Sequence, residues 1–417
     1  MSDRANWAGN YEFTAPEILE ATTIEQVQER LRRLGRVHAI GTRHSFTDIA
    51  DGPEAIVSTI GIPFEAQIDE AARAVTVTSG TRYGILVRWL EEHGWALHNT
   101  GSLPHISIGG AISTGTHGSG NGNGPLSSAV RAVEFVDHRG ELVRIARGDE
   151  RFNGLVVGLG AFGILVRVTL DIQPSYQVRQ DFYADVSWDA FLADPDAVTG
   201  AAYSVSVFTF WSTPEVGQLL LKTRLDSDSD AAPETVLDGR RHGTTEDFIV
   251  SDISDALTPV DGSPGPWSQR LPHFRLDAVP SVGEELQTEY FVRRSDTADA
   301  LKAVRELGAR IDPHLFITEL RTAAADEQWL SGAHQRDVIG IHFTWKKHVP
   351  EVLALIPEIE AALRPFEARP HWGKLHLFQA ADVARVHPRA ADAKRLFDEM
   401  DPDRRFANAH LERLGLR

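Results

Sequence analysis

The sequence predicts an α+β protein in which a second, mixed domain is inserted into a first. Segments of helical and strand period alternate up to residue 172. After Pro174 the chain turns into a long mixture of aromatic and β-branched residues. A short tail that includes Arg405 to His410 is read as returning to the first domain. The length of 417 residues fits two or three domains at about 150 residues each.

Taken in order, residues 17–36 predict a helix. Ile18, Leu19, Ile24, Val27, Leu31 and Leu34 recur near helical spacing, with Thr22 or Thr23 as cap. Val37 to Ile40 predicts a short buried strand running into Gly41-Thr42-Arg43-His44-Ser45-Phe46. Ala74 to Thr78 alternates as a strand with Val75 and Val77 on one face. Thr81 to Gly94 predicts a helix whose stripe is Ile85, Leu86, Trp89 and Leu90, stopped by Gly94. Val130 to Val136 and Glu141 to Ile145 flank a turn at Asp137 to Gly140, and residues 164–172 alternate again. Further on, residues 225–262, rich in Asp, Gly, Pro and Thr, predict a long surface loop. Residues 296–309 and 349–364 predict helices; 315–322, 338–346 and 371–378 predict strands.

Composition narrows the function. The net charge of −17 argues against binding a phosphate backbone or an anionic membrane surface, so neither nucleic acid nor membrane is expected as a partner. There is no cysteine, hence no disulfide, thiolate nucleophile or cysteine metal site. The 17 histidines include no H-E-x-x-H spacing, and no metal is expected. Met1 to Asn10 has no apolar core like a signal peptide, and no apolar run reaches the roughly 20 residues a bilayer needs. A cytoplasmic protein is expected, and nothing in the sequence demands an oligomer, so a monomer is expected.

Four features can carry chemistry. Ser107 to Gly118 is a run of Gly, Ser, Thr and Ile in which free N–H groups can cradle a pyrophosphate; the plain alternative is a linker. Interleaved Leu103, Ile106, Ile108, Ala111 and Ile112 favour a buried cradle. Gly158 to Gly163 spells G-x-G-x-x-G, but the residues after it alternate as a strand, whereas a dinucleotide motif opens a helix. That context counts against NAD. His44 leaves a buried strand through a glycine turn; alone, such a histidine is more often structural. Finally, three strands pair a polar with an apolar face: Glu319 with Arg321, His342 with Thr344, and Trp372 with Lys374 and His376. A solvated sheet face is the plain reading; a face that binds many hydroxyls is the functional one.

Together, Gly41-Thr42-Arg43-His44-Ser45-Phe46, Ser102-Leu103-Pro104-His105-Ile106-Ser107 and Thr114-Gly115-Thr116-His117-Gly118-Ser119-Gly120 resemble the FAD-linked oxidases of the vanillyl-alcohol oxidase (PCMH) type. Gly265-Pro266-Trp267, Leu271-Pro272-His273-Phe274-Arg275, Glu319-Leu320-Arg321-Thr322, His342-Phe343-Thr344-Trp345 and His371-Trp372-Gly373-Lys374 point within them to the alditol (xylitol) oxidases. The resemblance implies an FAD-binding domain over residues 1–177, a substrate domain over 178–377 and a return to the first domain over 378–417. It implies FAD bonded covalently to His44. Thr42, Arg43, Ser45, Ser107, Gly110, Thr114, Gly115, Thr116 and His117 would surround the cofactor, with Gly163 and Ile164 on its adenine side. Ser102, Glu319, Arg321, His342, Thr344 and Lys374 would line the substrate site. Asn121 departs from the family pattern, where an apolar residue follows Gly-Ser-Gly.

The implied reaction oxidises the C1 hydroxyl of a linear polyol and reduces O2 to H2O2. Lys374 and Arg321 would flank the hydroxyl, balanced by Glu319, and Lys374 would act as base or as electrostatic aid. Ser102, also placed at the flavin, His342 and Thr344 would bind further hydroxyls. Gly101 would leave room for oxygen. The alternatives are an aldonolactone oxidase or dehydrogenase of the same fold, an NAD-linked dehydrogenase, and a non-catalytic carbohydrate-binding protein.

Overall fold

Thr23 caps the helix Ile24–Arg33 by accepting the Gln26 N–H, and Val27 and Leu31 face the core. The computed structural model describes residues 4–225, 232–243, 255–278 and 284–417. The helix expected over 17–36 is shorter at its start. Glu17–Glu20 is a strand paired in parallel with Ala55–Ser58, whose other edge pairs in parallel with Val37–Ile40. Ile18 and Leu19 fit helical spacing, but a neighbouring strand supplies a backbone ladder that spacing does not reveal.

A five-stranded antiparallel sheet follows, in the order Ala66–Asp69, Ala74–Thr78, Ile164–Asp171, Val130–Val136 and Leu142–Ala146. The helices Tyr83–Glu92 and Ile108–Ser113 share its core, with Val75, Val77, Leu86, Leu90, Ile108 and Ile112 in one cluster. The expected stripe on the first helix is rotated. Tyr83, Leu86, Val87 and Leu90 are buried, while Ile85 is 38% exposed. Gly94, at φ +77°, follows its end as expected.

Among the described residues the largest sheet is antiparallel and ten-stranded. Its central order is Gln177–Ser187, Glu215–Leu225, Ser204–Thr209, Leu315–Ala323, Val338–Lys346 and Glu285–Arg293. Helices Trp188–Ala193, Thr297–Arg305 and Val349–Leu363 belong to the apolar cluster on one face. There Trp188, Trp211, Phe343 and Trp345 stack in succession. The surface loop expected over 225–262 falls partly outside the described residues; within them it holds the short strands Thr235–Val236 and Gly239–His242.

The strand expected at 371–378 is absent. The ladder stops at Arg369–Pro370, and the Lys374 N–H closes a turn onto the His371 carbonyl at 3.0 Å. Trp372, Lys374 and His376 therefore share no sheet face. Trp372 is buried, with its Nε1–H on the Leu330 carbonyl. A turn frees each side chain from strict alternation.

The tail packs on the N-terminal segment. The Val37 N–H donates to the Arg405 carbonyl, Phe406 joins Val27 and Leu31 in one core cluster, and His410 and Arg413 hold Asp48. Among the described residues no helix is long and apolar enough to cross a membrane.

Candidate active site

A cavity of about 850 Å³ lies between the ten-stranded sheet and the turns and glycine-rich run of the N-terminal part. The free face of the ten-stranded sheet forms one wall, because alternation sends Gln180, Phe208, Glu319, Arg321, His342 and Thr344 to the same side. Gln287 and Glu289 extend this wall on the neighbouring strand, and Lys374 enters from the turn after Arg369–Pro370. The opposite wall holds Thr42, Arg43, His44 and Ser45, then Ser102, Ser107 and Gly110, then Thr114, Thr116 and His117, with Gly163 at one side. Thus the structure brings together nearly every residue singled out from sequence. Gly115 and Ile164 do not line the cavity. Gly115 supports the wall at φ +68°, and Ile164 begins a strand with its side chain in the core.

The N-terminal wall is tied internally. Thr42 Oγ1 accepts the Ser107 N–H at 3.0 Å, linking the His44 turn to the glycine-rich run. That run is folded: its first part is the helix Ile108–Ser113. Arg43 adopts φ 63°, which turns the chain sharply before His44. Trp7 stacks on the His44 ring at 5.2 Å. His44 Nδ1 is buried without a hydrogen-bond partner. Burial, with His105 and Arg82 nearby, pushes the His44 pKa down to about 4, so the imidazole is neutral. Asn121 donates to Thr199 Oγ1 at 3.3 Å and leaves its own oxygen unpaired. Gly158 to Gly163 forms a turn that leads into the strand Ile164–Asp171, so the dinucleotide spelling opens no helix.

The sheet wall carries a dense set of charges. Arg321 Nη1 donates to Ser102 Oγ at 2.9 Å and its Nη2 lies 3.6 Å from Glu289. Lys374 Nζ lies 2.6 Å from Glu289 Oε2, and His117 Nε2 is 2.9 Å from Oε1. On the far side, His273 Nε2 lies 2.7 Å from Glu319 Oε1, and the buried Lys222 Nζ lies 2.8 Å from His273 Nδ1. Burial pushes Lys222 down to about 7, and burial followed by Lys222 pushes His273 down to about 4. Both ring nitrogens of His342 lack hydrogen-bond partners within the cavity wall. Burial, then Lys374, pushes this ring's pKa down to about 4.

Sequence reading missed Glu289, Lys222 and the role of His273 in holding Glu319. Glu289 was detectable by the alternation that found Glu319, since it shares a strand face with Gln287. Lys222 had a weaker signal: one lysine ending the apolar run Leu219-Leu220-Leu221.

Comparison with known proteins decides the family. The chain is 41% identical over 413 residues to an alditol oxidase from Streptomyces sp., covering 98% of each chain. The chain belongs to the vanillyl-alcohol oxidase-type FAD-dependent oxidoreductases. It is also 27% identical over 433 residues to an L-gulono-1,4-lactone dehydrogenase from Mycobacterium tuberculosis, again over 98% of each. Residues 16–146 match an FAD binding domain, and residues 284–414 match a D-arabinono-1,4-lactone oxidase family. In fold it resembles cholesterol oxidase from B. sterolicum, with a TM-score of 0.78 at 16% identity over 98% of this chain and 96% of that one.

The cofactor of this oxidoreductase is FAD. The cavity suits it. The FAD binding domain match contains the His44 turn and the glycine-rich run, which form one wall. A neutral histidine with an unpaired buried nitrogen lines that wall, a state that needs a partner to be stable.

Proposed function

We propose that this enzyme oxidises the terminal C1 hydroxyl of linear polyols such as xylitol and sorbitol to the aldose, reducing O2 to H2O2. The observation that carries this reading is the constellation of buried Arg321, Glu319 and His342 with half-buried Lys374, Ser102 and Thr344, which lines one cavity together with His44. Six polar side chains, buried or half-buried on one cavity, suit a substrate with many hydroxyls and reject apolar analogues that would leave them unpaired. The 41% identity to an alditol oxidase supports the same class.

FAD, when bound, accepts the hydride. Every other task falls to the protein. His44 would anchor the cofactor covalently. Thr42, Arg43, Ser45, Ser107, Gly110, Thr114, Thr116, His117 and Gly163 seat it. Residues 1–177 and 378–417 form the cofactor domain and 178–377 the substrate domain. Lys374 and Arg321 flank the reacting oxygen and stabilise its alkoxide character, while Glu319 keeps the local charge balanced. Ser102, His342 and Thr344 bind hydroxyls further along the chain. Gly101 lines the cavity, and a Cβ there would come no closer than 3.7 Å to any neighbour, which leaves space for oxygen.

The lactone-oxidase match over residues 284–414 favours a second reading, oxidation of an aldonolactone. One panel separates the two. Purified protein is supplied with xylitol, sorbitol, mannitol, glycerol or a gulonolactone, while peroxide and O2 uptake are followed. Polyol turnover with one H2O2 per O2 is expected. Preference for the lactone overturns the substrate, and cofactor reduction without peroxide overturns the acceptor.

A further inference from the structure

Glu289 lies on the strand Glu285–Arg293, opposite His342 in the sheet register. Its side chain is fully buried, at 0% exposure. Both oxygens are engaged: Oε2 by Lys374 at 2.6 Å, Oε1 by His117 at 2.9 Å and, more loosely, by Arg321 at 3.6 Å. The sheet makes room for it. A Cβ on Gly340 of the adjoining strand would sit 2.8 Å from Glu289 Oε1.

The charges around Lys374 come from every side. Glu289 faces it from one strand, Arg321 and Glu319 from a second, His342 from a third, and His371 from its own turn, with His117 beyond Glu289. Burial pushes the Lys374 pKa down and Glu289 opposes this. His342 and His371 are held neutral, chiefly by burial, with Lys374 as the next cause. For Glu289 itself, burial favours the neutral acid, but Lys374, His117 and Arg321 outweigh it and hold the carboxyl well below the usual range. Among the described residues Glu289 is the ion-pair partner of Lys374. A carboxylate held ionised at 2.6 Å favours the ammonium form of Lys374, and an ammonium has no lone pair with which to take a proton.

We propose that Glu289 is a positioning residue that holds Lys374 as an ammonium against burial, so that Lys374 meets the substrate oxygen as a hydrogen-bond donor and not as a base. This rests on the reading that Lys374 faces the reacting hydroxyl. The carboxylate also fixes the direction of the ammonium, leaving its remaining N–H bonds to point at the substrate. Removing the negative charge while keeping the shape leaves Lys374 with Glu319 alone as a weaker counter-charge beside Arg321, and burial then favours loss of its proton.

The test is the titration of the Lys374 Nζ signal by NMR in 15N-lysine-labelled holoenzyme, the signal being assigned by its loss in Lys374→Met. Wild-type Lys374 is expected to remain ammonium through neutral pH. In Glu289→Gln its titration should move acidward by about one to three pH units, and Glu289→Asp should restore most of it. The pH profile of flavin reduction by xylitol should lose rate as pH rises through the Lys374 pKa, and this alkaline limb should move acidward with the signal. Three results overturn the inference: an amine signal in the wild type at neutral pH, faster reduction by Glu289→Gln near neutrality, or an equal loss at every pH with Nζ unmoved. If Glu289→Gln does not fold, the wild-type titration decides. If neither polyol nor lactone reduces the flavin, the proposed function fails, and the Nζ titration still tests the Glu289–Lys374 pair.

Discussion

Arg321 shows how one side chain joins the two walls. One nitrogen reaches Ser102 beside the glycine-rich run, another approaches Glu289, and Glu319 stands next along the strand. A hydrogen bond to a charged group contributes about 1.5–3 kcal/mol. Ser102→Ala should therefore raise the KM for a polyol about tenfold or more, with the flavin still bound; unchanged steady-state kinetics would remove Ser102 from the site. Lys374→Met should collapse flavin reduction while leaving the cofactor in place, and stopped-flow absorbance checks this. His44→Ala should abolish chromophore that stays with acid-precipitated chain. Retention of that chromophore would mean that His44 is not the anchor. At this scale the chemistry of Glu319, Arg321, His342 and Thr344 was readable, because each sits on a strand where alternation assigns a face. The partners that set their charge were not. Lys222 and Glu289 act through contacts with residues 51 and 85 positions away, His273 and Lys374.

The glycine-rich run illustrates the next scale. Its composition predicted a close approach of backbone, and the structure assigns that need to particular positions. A Cβ on Gly118 would lie 2.4 Å from the Thr100 carbonyl oxygen, so the backbone must move to admit it. Gly122 has nothing within 4 Å. Gly118→Ala should lower the melting temperature and disturb the wall that carries His117, whereas Gly122→Ala should stay within about 1 kcal/mol of the parent. Equal melting temperatures for the two variants would contradict the packing described. Strand and helix period gave most elements their type. It failed at Glu17–Glu20, where a parallel neighbour recruited residues with helical spacing, and at 371–378, where a turn replaced an alternating segment.

For the whole molecule, acid sensitivity follows from buried histidines. Burial pushes His38, His273 and His342 down to about 4 and His376 to about 3. In the unfolded chain each titrates near 6.5. Between these values the unfolded state binds more protons, so stability rises with pH and is lost as pH falls from about 6.5 toward 4. The thermal midpoint should drop steadily over that range; a flat profile would show that these rings are not held neutral in the fold.

Taken by itself, the sequence determined the period of most helices and strands, the close-approach run, the histidine after a glycine turn and the polar strand faces. These are local properties, fixed by neighbours along the chain. The tertiary structure decided which faces meet. It brought the His44 turn to the same cavity as Arg321 and Lys374, and seated Glu289 between Lys374 and His117. It also decided which groups are charged there, because burial and neighbouring charges set protonation, and both arise only once distant segments pack together.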